Sequence, residues 1–183
     1  MIGCGFFLNR KKKVPKNYSF FFLLVPREGK QAGMTSPDII LAKKTAHRVA
    51  DLATGYGLYV GGGDADPTPY SLIINVARGL IPVRPKSTVQ FPWADNPEQP
   101  ILHDLQTICP LIDVAQGSVL VQCKQGISRS VTVAIAYLVY KGWTLKEGHA
   151  QVVTSRPGAN RPHNVGFWRQ LESWEAEHRV EKT

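Results

Sequence analysis

Short apolar segments bounded by glycine, proline or polar residues predict the strands of a buried sheet. Residues 72–76 form an almost continuous apolar run of strand length, which is typical of a strand covered on both faces. Residues 58–60, which end at three glycines, residues 88–91, which end at a proline, and residues 118–122 are further strand candidates. Residues 43–53 fit either a helix or a strand.

Longer segments carry their apolar residues at helical spacing. Residues 98–115 form an amphipathic pattern, and Pro110 inside it predicts a kink or a break into two helices. Residues 131–140 are almost wholly apolar and too long for a strand, which predicts a central helix buried on most sides. Residues 144–155 and 164–178 are two further predicted helices. The apolar positions of the first segment are Ile101, Leu102, Leu105, Ile108, Leu111, Ile112 and Ala115.

Strands that alternate with helices along the chain predict an α/β fold. The expected architecture is a mostly parallel central sheet with helices on both faces. Thr144 is followed three residues later by Glu147, and this pair matches a capping box at the start of a helix.

The composition agrees with a folded domain and excludes several other classes. Of the 183 residues, 43% are hydrophobic and 20% are charged, so the chain is neither disordered nor fibrous and can bury a core without disulfides or metal. No apolar run approaches the roughly 20 residues that span a membrane. The cysteines, Cys4, Cys109 and Cys123, are odd in number and widely spaced, which favours a reducing compartment over a disulfide framework.

Positive charge is concentrated near the start of the chain. The first 33 residues hold seven of the 22 basic residues and one of the 14 acidic ones, and so six of the eight net positive charges. We therefore divide the chain into a basic, aromatic extension (residues 1–33) outside the folded core and a domain (residues 34–183). A loosely ordered tail is the simplest interpretation of the extension. The alternatives are a signal peptide, for which no convincing cleavage site follows, and a membrane-surface anchor with Cys4 acylated.

Reactive residues are concentrated between a predicted strand and the apolar helix. Cys123 follows the strand at residues 118–122, Arg129 comes six positions later, and Gly126 lies in the loop between them. Such a loop directs N–H groups inward as an anion site, and the next helix adds its dipole. Arg129 can bind an oxyanion through two nitrogens, while the same positive field favours the Cys123 thiolate. The expected phosphate-binding residues are Lys124, Gln125, Gly126, Ile127, Ser128 and Arg129.

The pattern Cys123-x5-Arg129-Ser130 resembles the C-x5-R-[ST] signature of the cysteine-dependent protein tyrosine phosphatases. The wider sequence is similar to their dual-specificity branch over about residues 55–178. The similar segments are the predicted strands near residues 57–61 and 73–77, and the later sequences Arg-Pro at 156–157, Asn-Val-Gly-Phe at 164–167 and Gln-Leu at 170–171. The resemblance implies a small phosphatase-type α/β domain. It implies hydrolysis of phosphotyrosine and phosphoserine or phosphothreonine in proteins through a cysteinyl-phosphate intermediate, with a role in signalling and no cofactor or metal.

The resemblance also implies roles for residues outside the signature. The general acid of the family lies on a loop after a strand, here residues 91–97, which favours Asp95. Ser130 is expected to hydrogen-bond the cysteine sulfur and to help it leave the phosphoenzyme. Asn164 matches an asparagine that supports the phosphate loop, and an N-cap of the last helix explains it equally well. The weaker rivals for the acid are Asp64, Asp66, Asp104 and Asp113, the last two of which fit a solvated helix face.

Gln122 departs from the family pattern, which usually has histidine at this position. Glutamine can donate a hydrogen bond but carries no positive charge, so weaker support of the thiolate and weaker catalysis are expected. One alternative is therefore a weakly active or inactive phosphate-binding pseudophosphatase. Another is a phosphatase that acts on a phosphoinositide or an RNA 5′-end.

A phosphorylated protein is the preferred partner, because Lys124 is the single lysine of the loop and residues 34–183 are nearly neutral, which argues against nucleic acid. We expect a cytoplasmic protein, with the nucleus or, through the extension, the membrane periphery as alternatives. Cys109 is expected to be structural, Arg156 and Arg161 to be surface residues, and residues 61–63 to form a tight turn.

Overall fold

The computed structural model describes residues 40–41, 43–79, 87–156, 158–159 and 164–179. The predicted extension (residues 1–33), and with it Cys4, lies outside the described residues, as does Arg161. Within these ranges no helix is both long enough and apolar enough to cross a membrane.

A five-stranded sheet lies at the centre of the described structure. Its order is β1-β2-β5-β3-β4, with β1 antiparallel to β2 and the other three pairings parallel. The prediction of a mostly parallel α/β sheet is confirmed. The segment at residues 43–53, for which the sequence fits either a helix or a strand, contains a strand at Ala46–Asp51. The strands are β1 (Ala46–Asp51), β2 (Gly57–Gly62), β3 (Leu72–Asn75), β4 (Thr88–Gln90) and β5 (Val119–Cys123).

Four long helices accompany the sheet in the described ranges: α1 (Leu102–Asp113), α2 (Arg129–Tyr140), α3 (Leu145–Ser155) and α4 (Val165–Arg179). The predicted capping box begins α3, since Thr144 and Glu147 exchange hydrogen bonds of 3.2 and 2.9 Å. Of the kink or break predicted at Pro110, the break into two helices is wrong, because α1 continues through Pro110 to Asp113. Pro110 and Gln106 are both exposed, so water can satisfy the carbonyl that the proline leaves without a donor.

Alternation along the strands divides the core into two parts. One face joins all four helices in a single large cluster, and α2 is buried from Arg129 to Val139. The other face carries a smaller cluster built on Ile73 and Leu120. Cys123 belongs to the large cluster, so the neighbouring Gln122 points toward the opposite face. The loop that follows Cys123 connects the central strand β5 to the central helix α2.

Candidate active site

The phosphate loop (residues 124–128) folds over the sulfur atom of Cys123. The Gly126 N–H donates to Cys123 Sγ over 3.2 Å, and Ser130 Oγ lies 3.2 Å from the same atom. The structure therefore brings Cys123 and Ser130 together as the sequence analysis expects.

Gly126 has a conformation and a setting that require glycine. Its φ is +73°, and an added Cβ would collide with the Arg156 guanidinium and with the backbone of Gly61 and Gly62. The prediction that residues 61–63 form a tight turn is wrong for the first two, which are the last residues of β2 and pair with β5. The missing side chain of Gly126 lets the phosphate loop approach the end of β2 closely.

Arg156 is buried and holds the phosphate loop from behind. Its Nε donates to the Gly126 carbonyl over 2.9 Å, and its Nη1 donates to the Thr45 carbonyl over 3.0 Å. Burial lowers the pKa of Arg156 from 12.5 to about 10, while negative charge at Cys123 acts in the opposite direction. The expectation of a surface arginine is wrong, because the side chain is 0% exposed.

Arg129 begins α2 with its guanidinium group beside the loop that carries Asp95. Nη1 donates to the Trp93 carbonyl over 2.9 Å. Nε lies 3.5 Å from Asp95 Oδ2, close enough for an ion pair but too poorly aligned for a hydrogen bond. This buried Nε is free to donate to an oxyanion in the phosphate loop.

Asp95 lies on the acid loop (residues 91–101) and faces the phosphate loop. Its Oδ1 accepts from Ser128 Oγ over 2.8 Å, and the side chain is 38% exposed. The structure thus brings Asp95 beside Arg129, in reach of a ligand and of solvent.

The four weaker candidates for the acid all have partners elsewhere. Asp64 pairs with Lys43 at 2.7 Å, and Asp66 accepts from Thr68. Asp104 accepts from the buried indole of Trp93 over 2.6 Å, and Asp113 accepts from Tyr137 and Lys141. Asp104 and Asp113 are both half-buried on α1, and each binds a side chain of the fold in addition to meeting solvent.

Asn164 caps the last helix and also reaches the acid loop. Its Oδ1 accepts from the N–H groups of Gly166 and Phe167 over 3.1 and 3.4 Å, and its Nδ2 lies 3.5 Å from Asp95 Oδ1. Of the two interpretations made from the sequence, the N-cap is present in the structure. The side chain meets the acid rather than the backbone of the phosphate loop.

The start of α2 is open to an anion. Ser128 is the N-cap residue, yet its hydroxyl donates to Asp95 and caps none of the helix N–H groups. The first turn also lacks an acidic residue. The helix dipole and the first N–H groups of α2 therefore remain available to a ligand.

Cys109 lies away from the phosphate loop. It is fully buried in α1, and burial raises the pKa of its thiol, which agrees with a structural role.

Gln122, the residue before Cys123, is also buried. It lies on β5 between β2 and β3, opposite Gly61 and Asn75. Cys123 belongs to the large core cluster, so the Gln122 side chain points to the opposite face of the sheet.

Known proteins resemble this chain in sequence and in fold. The family model described as the dual specificity phosphatase catalytic domain matches residues 69–177. Dual specificity phosphatase 28 of Mus musculus is 35% identical over 111 residues, which cover 57% of this chain and 67% of that protein. Dual specificity protein phosphatase 14 of Homo sapiens is 42% identical over 91 residues, which cover 48% of this chain and 45% of that protein. The matched regions thus span from under half to two thirds of these relatives.

Solved structures extend the similarity to the fold. The crystal structure of human DUSP28 matches with a TM-score of 0.63 and 30% identity, over 72% of this chain and 93% of that one. A mouse putative dual specificity phosphatase complexed with zinc tungstate matches with a TM-score of 0.64 and 29% identity, over 81% and 92% of the two chains. With this fold, and with a family model over more than half of its residues, the chain belongs to the dual specificity phosphatase catalytic-domain family, a branch of the protein tyrosine phosphatase superfamily.

Proposed function

We propose that the protein is a cysteine-dependent phosphatase that hydrolyses phosphotyrosine and phosphoserine or phosphothreonine in proteins. The observation that carries the proposal is the position of Cys123 Sγ, which accepts a hydrogen bond from the Gly126 N–H at the base of a loop that opens onto the uncapped start of α2. The nucleophile thus lies at the base of the anion site.

In the first step the Cys123 thiolate attacks phosphorus. The S–P bond forms while the bond from phosphorus to the leaving oxygen breaks, and Asp95 protonates that oxygen. Arg129 donates from its unpartnered Nε to the equatorial oxygens, which carry charge in the transition state. The products of this step are the dephosphorylated residue and a cysteinyl-phosphate.

In the second step water hydrolyses the cysteinyl-phosphate. Asp95, now a carboxylate, takes a proton from the attacking water, and the S–P bond breaks to release inorganic phosphate. Ser130 Oγ and the Gly126 N–H, each 3.2 Å from the sulfur, stabilise the departing thiolate.

The catalytic unit in this proposal is the domain at residues 34–183, and its partner is a phosphorylated protein. Lys124 and Gln125 are exposed in the phosphate loop, where they can contact the peptide next to the phosphoresidue. We place this activity in signalling in the cytoplasm, where the thiol stays reduced.

Gln122 favours a second candidate, a phosphate-binding module with little turnover. The side chain is neutral and buried, so this position supplies no positive charge to the neighbouring cysteine. The phosphate loop and Arg129 would still bind a phosphorylated residue in such a protein.

Phosphate release from phosphotyrosine and phosphothreonine peptides by the full chain tests the proposal. Cys123→Ser should abolish release and retain binding of tungstate, an oxyanion analogue of phosphate. Cys109→Ala removes the buried thiol of α1 and should retain activity. Full activity of Cys123→Ser would refute the mechanism, whereas binding without turnover in the unsubstituted chain would favour the phosphate-binding module.

A further inference from the structure

The first turns of α4 face the acid loop at three points. Asn164 lies 3.5 Å from Asp95 through its side-chain amide. Gly166 packs so closely on the backbone of Pro97 that a Cβ atom would collide with it. Gln170, one turn further along α4, makes hydrogen bonds to the acid loop. Gly166 and Gln170 are four residues apart and therefore lie on one face of the helix.

Gln170 joins the acid loop to α4 through both atoms of its amide. Its Oε1 accepts from the Ile101 N–H over 2.8 Å, and its Nε2 donates to the Gln99 carbonyl over 2.9 Å. The same Nε2 also meets the Gly166 carbonyl at 3.2 Å. The far end of the acid loop is therefore fixed to the helix on both sides of Pro100.

The fixed end of the loop is connected to the residue next to Asp95. The Gln99 side chain turns back and accepts from the Ala94 N–H over 2.9 Å. Next to Ala94 in the chain, Trp93 is 1% exposed and its ring lies 5.9 Å from that of Phe167 on α4. Asp95 is thus an exposed side chain on a backbone that is held at both ends.

We propose that Gln170 is a positioning residue for the general acid. The inference rests on the proposed function, in which Asp95 protonates the leaving oxygen. A proton donor must lie within hydrogen-bond reach of that oxygen, and a displacement of about 1 Å can cost about 100-fold in rate. Gln170 holds Gln99 and Ile101 in place, and Gln99 in turn holds the amide that precedes Asp95.

The test is the dependence of the rate on the leaving group. Protonation matters most for a poor leaving group, so phenyl phosphate is compared with an activated aryl phosphate such as 4-nitrophenyl phosphate. Gln170→Met keeps the size of the side chain and removes its hydrogen bonds. We expect kcat/KM, which reports only the first step, to fall by about 10- to 100-fold for phenyl phosphate and much less for the activated ester.

A double substitution separates positioning of the acid from general stability. Asp95→Asn should produce the same selective loss, and Gln170→Met added to Asp95→Asn should produce no further selective loss. Gln151→Met is the matched control, because Gln151 is a half-buried glutamine on α3 that donates to the Val49 carbonyl over 3.1 Å. It should leave the ratio of the two rates unchanged.

Two results would overturn the inference in different ways. An equal loss for both esters in Gln170→Met, with a selective loss in Asp95→Asn, would leave Asp95 as the acid and refute its positioning by Gln170. Equal losses in Asp95→Asn would refute the assigned acid and the inference with it. If Gln170→Met does not fold, Gln170→Glu retains the acceptor for the Ile101 N–H and should give the same selective loss at a smaller size.

Discussion

Replacement of Arg156 by methionine tests whether a buried cation holds the phosphate loop. Methionine retains much of the apolar volume but cannot donate a hydrogen bond. The substitution removes the donors to the carbonyls of Gly126 and Thr45, which now lie 2.9 and 3.0 Å from the guanidinium group. It acts on stability and on the shape of the loop at the same time.

The cost to stability follows from those two carbonyls. A buried acceptor left without a donor costs about 1–3 kcal/mol, and removal of the guanidinium recovers part of the free energy spent on its desolvation. We therefore expect the free energy of unfolding to fall by about 2–4 kcal/mol. In a domain of this size that loss lowers Tm by roughly 4–16 °C.

The effect on function follows from the loop. Without Arg156 the Gly126 carbonyl is no longer held, so the N–H of the same residue moves relative to Cys123 Sγ. We expect kcat/KM for an aryl phosphate to fall by about 10- to 100-fold, and tungstate to bind more weakly, in assays well below the Tm of the variant.

Arg48→Met is the control for the loss of an arginine. Arg48 is exposed and pairs with Asp51 at 2.6 Å, so its loss should change stability by no more than about 0.5 kcal/mol. A Tm of Arg156→Met equal to that of the control would refute the hydrogen-bond argument. A lowered Tm with unchanged tungstate affinity would show that Arg156 stabilises the fold without shaping the phosphate loop.

Three further substitutions address other parts of the site. Arg129→Lys keeps the charge but loses the planar fork, and should lower kcat by at least about 100-fold in the same assay; an unchanged kcat would contradict the role given to Arg129. Gly126→Ala should cost about 1–2 kcal/mol for its left-handed backbone plus the collisions with β2, whereas Gly55→Ala, at φ +86° with open space around it, should cost the backbone part alone, and equal costs would refute the crowding. Burial lowers the pKa of His47 and of His149, and Arg156 is a second cause for His47. The unfolded chain therefore binds more protons than the folded chain below about pH 6.5, so the free energy of unfolding measured in urea should fall on acidification through that range. The fall should be smaller in the double variant His47→Gln/His149→Gln.

The sequence allowed the elements and the centre of the site to be predicted because both depend on neighbours in the chain. Apolar periodicity reports burial within one strand or helix, and Cys123, Gly126 and Arg129 lie within seven consecutive residues. Pro110 does not break α1, because a helix tolerates a proline where the carbonyl that loses its donor faces water.

Residues that act through distant partners were not predictable in the same way. Arg156 lies 30 residues from Gly126 and 111 from Thr45, and a charged residue at a helix end usually faces solvent. Gln170 belongs to a part of the sequence that resembles the family, and Trp93 lies in the loop at residues 91–97, but neither carries a signal for what it contacts. Their partners depend on how α4 and the acid loop pack, which no local pattern encodes.

The uncapped start of α2 links the amount of folded protein to its ligand. Because the Ser128 hydroxyl is directed to Asp95, the helix forgoes the roughly 0.5–2 kcal/mol that a capping side chain contributes. An oxyanion in the phosphate loop supplies the missing acceptor, and a ligand at 100 times its Kd raises the free energy of unfolding by about 2.7 kcal/mol. Chaperones and proteases act on the unfolded fraction. Protein with a phosphorylated ligand bound would therefore be degraded more slowly than protein without one.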